Sequence, residues 1–247
     1  MAAAVIFCRI SAIIFLTPGL GEALVFRKIK LALTVLITTL LFISIGDYII
    51  SYKITPSDYI SFGVLIIQET LVGLAIGFVF RLGFWSLHTA GMIIASQLGL
   101  SAATLFDPAQ KNQGTVISTF MSMLGVIIIF SSNLHLVIIE GLAGTYNLLP
   151  IGSLGKNYSE IIELMTLVLR KSWVAGMQMS APFIVSSIAL MIGSGVLSRL
   201  MPQLQVFFVV IPAQIMVGLI AAMLIFGGIC FWFASYYAQI IEQIILN

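Results

Sequence analysis

Apolar runs of membrane-spanning length, joined by short connections, are the feature that most constrains this chain. They cover roughly Ala2–Leu24, Leu31–Ile50, Tyr59–Phe80, Val116–Ile139, Ser172–Leu197 and Val206–Ala238. About 20 apolar residues in a helix cross the hydrocarbon core of a bilayer. Leu82–Leu105 is a weaker seventh stretch carrying His88, Gln97 and the glycines Gly83, Gly91 and Gly99, and reads as helix packed in protein. Of the 247 residues, 60% are hydrophobic and 8% charged, where a soluble domain carries about 25% charged. The expectation is an all-α, polytopic integral membrane protein of about six long hydrophobic helices with broken or kinked segments. It forms one membrane domain over residues 1–247, with no room for a soluble enzyme beside it.

The net charge of +2 is too small to imply nucleic acid, and Cys8 and Cys230, both in apolar runs, give no disulfide or metal framework. Arg9 interrupts the first run, and neither a basic leader nor a cleavage site accompanies it. The run therefore reads as a retained helix rather than a signal peptide. Arg27, Lys28 and Lys30 place the first connection on the cytoplasmic side. Within Glu140–Lys171, Tyr158, Ile161, Ile162, Met165, Val168 and Leu169 predict an amphipathic helix capped by Asn157 with Glu160, and Arg170 and Lys171 suit its end.

The segment "RLMPQLQVFFVVIPAQ", Arg199 to Gln214, is out of place among apolar runs. Proline removes a backbone donor, and irregular backbone at membrane depth survives only where protein or water surrounds it. Pro202 and Pro212 therefore argue for packing inside an assembly or along a cavity, and Pro182 marks a further break. Arg199 needs a carboxylate, a carbonyl or water, while Gln203, Gln205 and Gln214 can bond across helices. A plain hairpin turn, with Arg199 among the headgroups, explains the same residues. "QETLVGLAIG" sets Glu69 in an apolar run with Gly73 and Gly77 as a GxxxG pair, a spacing that lets helices approach closely. Glu69 reads as an arginine's partner, an interfacial residue or a proton carrier, and no second acid nearby supports the last. His88 and His135 read as hydrogen-bonded packing histidines. The chain has no P-loop, HExxH, paired-cysteine or GxSxG motif, so nothing supports enzymatic activity and no cofactor is called for.

Five ordered blocks resemble the FliR family of type III export-gate proteins. They are "CRISAIIFLTPGLGEALVFRKIKLAL", "QETLVGLAIG", "AGMIIASQLGLSAATLFDP", "NLLPIGS" and "SRLMPQLQVFFVVIPAQIMVGL". The resemblance implies a subunit that joins FliP-like and FliQ-like proteins in a ring-like helical gate in the bacterial inner membrane, within a flagellar basal body or an injectisome. Unfolded substrates pass through its centre, a FlhB-like protein contacts its cytoplasmic side, and other subunits supply the energy. The lipid bilayer is the remaining partner. On this resemblance Glu69, Gly73, Gly77, Arg199, Pro202, Gln203 and Pro212 are assembly residues. The family's pore plug falls by position in "GLSAATLFDP". Family members often carry phenylalanines there, and this chain has Ala102 at one such place, so Leu105 and Phe106 are the expected plug residues; the alternative is that they begin a turn. The central block and "LLPIGS" resemble the flagellar branch more than the injectisome branch. A small-solute transporter with broken helices, and a membrane enzyme using Glu69, His88 or His135, are the readings from other classes.

Overall fold

The computed structural model describes residues 2–22, 25–51, 59–99, 116–152, 154–201 and 206–246. Among them the regular structure is all helical: α1 (Ala2–Leu16), α2 (Arg27–Ser51), α3 (Tyr59–Gln97), α4 (Val116–Ser131), α5 (Leu134–Leu148), α6 (Leu154–Leu200) and α7 (Val206–Leu246). Among the described residues three helices are long and apolar enough to cross a membrane, or four if the bent pair α4 and α5 counts as one span. The expected six are too many for two reasons. Among the described residues α2, with Arg27, Lys28 and Lys30 in its first turn, is not one of the candidate spans. α1 stops after 15 residues, short of a full crossing. The weaker seventh stretch, Leu82–Leu105, adds no span, since α3 runs on through Arg81 for 39 residues.

Local chemistry sets the ends. Gly99, at φ 72°, closes α3 in the left-handed conformation that glycine adopts without penalty. Asn133 stands at φ 56° between α4 and α5, which meet at a bend of 73°. Asparagine is among the few residues that tolerate this conformation. Pro182, expected as a break, lies inside α6, and Pro212 lies inside α7. Ending the helix in an apolar medium would strand several backbone groups, whereas an internal proline forfeits about one hydrogen bond. Asn157 is not a cap, because α6 begins at Leu154. On the same helix Val168 is buried but Ile162 and Leu169 are exposed, so the expected apolar face is narrower than the sequence suggested.

The chain divides into two compact units. The first comprises Met1–Gly83, Ile129–Lys171 and Tyr236–Asn247, and the second comprises Phe84–Ile128 and Ser172–Ser235. In the first, Val5, Ile6, Ile10, Ile13 and Ile14 of α1 are fully or almost fully buried, together with Val79, Phe80, Tyr237 and Ile241. Tyr237 donates its hydroxyl to the Phe80 carbonyl at 3.3 Å. In the second, Phe84 meets Phe233 edge to face at 6.3 Å, and Gly125 leaves room for Phe84 and Leu87. Gln214 of α7 donates to the Gln97 carbonyl at the end of α3 and to the Ser187 hydroxyl of α6.

Candidate functional site

The first unit holds its most polar residues at its most buried point. Arg9 is fully buried on α1 and Glu69 is 1% exposed on α3. The Arg9 Nε donates to Glu69 Oε2 at 2.6 Å, and Nη1 donates to the carbonyls of Leu149 at 2.9 Å and Thr145 at 3.3 Å. The other carboxylate oxygen, Oε1, accepts the backbone N–H of Gly152 at 3.0 Å. The guanidinium also lies 4.2 Å from the centre of the Tyr146 ring, within cation–π range. One ion pair thus ties α1, α3, the end of α5 and the turn after it.

Two charges are tolerable here because they cancel and because most of their hydrogen-bonding capacity is used. Arg9 Nη2 and the Tyr146 hydroxyl are the exceptions, both buried without a partner. Gly152, at φ 75°, turns the chain so that its N–H reaches the carboxylate. One turn beyond Glu69, a Cβ on Gly73 would overlap the Arg9 carbonyl oxygen. A Cβ on Gly77 would stand 2.8 Å from that of Leu16. The GxxxG pair therefore lets α3 lie backbone to backbone on α1, and that approach carries Glu69 to Arg9. With both carboxylate oxygens engaged, the arginine-partner reading of Glu69 fits the geometry best of the three.

The sequence-derived candidates separate into three groups. Glu69, Gly73 and Gly77 come together at this clasp. Arg199, exposed in the last turn of α6, and Pro212, exposed on α7, belong to the second unit. Leu105, Phe106, Pro202 and Gln203 lie outside the described residues. Sequence reasoning missed Tyr146, Thr145 and Gly152, and noted Arg9 without its partner. A usable signal existed: Arg9 is the one charge within Ala2–Leu16 and Glu69 the one charge within Tyr59–Phe80, and the signs are opposite. His135 differs from expectation, for its buried Nδ1 has no hydrogen-bond partner and its ring packs on Phe130 at 4.9 Å. No group of three His, Cys, Asp or Glu side chains among the described residues could hold a metal.

The pattern described as "Bacterial export proteins, family 1" matches residues 1–240. The chain belongs to this family of bacterial export proteins. It is 30% identical over 240 residues to the flagellar biosynthetic protein FliR of Caulobacter vibrioides, covering 97% of this chain and 94% of that one. To the FliR of Escherichia coli it is 32% identical over 215 residues, 85% of this chain and 78% of that one. It also resembles the surface presentation of antigens protein SpaR of Shigella flexneri, at 26% identity over 222 residues, 90% and 82% of the two chains. Membership joins the clasp's three segments in one account: "CRIS", "QETLVGLAIG" and "NLLPIGS" were three of the five blocks that carried the resemblance, and their residues meet around Arg9.

Proposed function

We propose that this chain is a core subunit of the flagellar type III export gate in the bacterial inner membrane. It assembles with FliP-like and FliQ-like subunits and a FlhB-like protein to form the pore for unfolded flagellar substrates. Its role is that of a conduit and assembly component, with no catalytic step. Family membership gives the export setting, and the identities of 30% and 32% to the FliR proteins of Caulobacter vibrioides and Escherichia coli, against 26% to SpaR and to the FliR of Bacillus subtilis, favour the flagellar branch.

The observation that carries the assembly reading is the uncovered surface of α6 and α7 in the second unit. Met191, Leu200, Met223, Leu224 and Phe231 are 71–83% exposed. A Cβ added at Gly193, Gly195, Gly227 or Gly228 would meet nothing within 4 Å. Glycine in a helix interior costs roughly 0.5–1 kcal/mol relative to alanine. Bare glycines on helices that also expose Arg199 and Pro212 suit partner helices at backbone distance better than lipid.

Co-expression with FliP-like and FliQ-like proteins, followed by native mass measurement in mild detergent, tests this. The expected product is a discrete complex with one copy of this chain and several of the others. A stable particle of this chain alone, with no partner retained, would overturn the reading. Arg199→Leu is expected to lower the yield of that complex. Leu105→Gly with Phe106→Gly is expected to raise ion conductance across membranes holding the complex, because apolar side chains close a pore by excluding water. Unchanged conductance would remove those two residues from the plug.

A further inference from the structure

The first unit also carries a groove that neither the clasp nor the gate reading uses. It has a volume of about 520 Å³ and lies between α3, the end of α5, the start of α6 and the end of α7. Its apolar lining includes Ile76, Leu149, Leu164 and Leu167, and its acidic edge is Glu160 and Glu163. Among the described residues no lysine or arginine lines it. The nearest ammonium placed by a contact, that of Lys171, is bound to Gln243 Oε1 on one wall at 2.9 Å.

The α6 wall has a regular pattern. Glu160, Glu163, Leu164 and Leu167 stand at i, i+3, i+4 and i+7, which is one face of a helix. Two like charges one turn apart are mildly repulsive. They flank an apolar floor that the described residues leave open. The far wall is rigid, since the carbonyls of Thr145 and Leu149, both lining residues, are the ones Arg9 grips.

We propose that this groove receives a basic amphipathic helix of a partner protein, with apolar side chains on the floor and a lysine or arginine between the two glutamates. The sign of the edge selects this occupant. An anionic lipid headgroup would meet two carboxylates, and a purely apolar segment would leave them beside its desolvated surface. Helix-in-groove docking through anchors at i, i+3, i+4 and i+7 is a recurrent mode of recognition. The proposal goes beyond the gate reading, and its test uses the full chain alone, so its failure would leave that reading intact.

The experiment measures fluorescence anisotropy of labelled amphipathic Leu/Lys, Leu/Gln and Leu/Glu peptides against the full chain in phosphatidylcholine nanodiscs, with empty nanodiscs as the blank. The Leu/Lys peptide is expected to bind, and Glu160→Gln with Glu163→Gln to weaken it about tenfold, the scale of two partly exposed ion pairs. Both glutamates are exposed, so the fold tolerates the change. Charge reversal, Glu160→Lys with Glu163→Lys, is expected to transfer binding to the Leu/Glu peptide. Equal binding of the Leu/Gln peptide, or no effect of the glutamine pair, would overturn the proposal. So would glutamate-dependent self-association with no peptide binding, which would make a second copy the occupant. Displacement of the Leu/Lys peptide by neutral lipid chains alone, insensitive to the glutamates, would assign the groove to lipid and equally refute it.

Discussion

At the residue scale the clasp is governed by an asymmetry. Removing one member of a buried ion pair strands the other, at about 3–5 kcal/mol, whereas replacing both by apolar groups is often close to neutral. Arg9→Leu is therefore expected to destabilise the chain by about that amount, measured by denaturant titration of the protein in detergent micelles. The double change Arg9→Leu with Glu69→Leu is expected to recover a large part of the loss. If the two changes simply add, the pair is not acting as a unit. Tyr146 gives a prediction of the opposite sign. Its ring packs under the guanidinium, but its hydroxyl is buried without a partner. Tyr146→Phe keeps the ring and removes the stranded group, so stability should hold or rise by about 1 kcal/mol. A loss above that would show that the hydroxyl has a partner.

At the element scale, the same residue type has opposite meanings in two places. Gly73 and Gly77 are filled by α1, while Gly193 and Gly227 face open space. Gly73→Ala should lower the unfolding midpoint of the isolated chain, and Gly193→Ala should leave it unchanged or raise it. Gly193→Ala should instead reduce recovery of the co-expressed complex. Equal effects on the isolated chain would break the distinction. Both sets of glycines were visible in the sequence, but only the first belonged to a pattern with a known packing use. The helix ends were legible where the chemistry was local, as at Gly99. They were illegible at Pro182 and Arg81, because a helix in apolar surroundings continues past residues that would weaken it in water. The bend at Asn133 was missed for the converse reason: one asparagine in an apolar run is a weak signal, yet its left-handed backbone turns the chain by 73°.

At the scale of the whole molecule, the all-helical membrane class followed from composition alone, and the family from five short blocks. What the sequence withheld was which surface faces which neighbour, since apolar side chains suit lipid, protein interior and partner subunit alike. The exposure of Met191 and Met223 makes the difference measurable. Cysteines placed at those two positions should react readily with a maleimide in the isolated chain and far more slowly in the co-expressed complex; equal reactivity would mean that no subunit covers α6 and α7. The clasp has a further consequence, in time rather than space. Arg9 precedes Glu69 by 60 residues and Leu149 by 140. At about 5–20 residues per second, the ribosome needs about 7–28 s to make the carbonyls that complete the guanidinium's hydrogen bonds. Glu69, the counter-ion, is made about 3–12 s after Arg9, and until the later carbonyls follow the guanidinium on α1 is only partly satisfied. α1 is thus made well before it is secured, and its final seat is decided by a turn synthesised long after it.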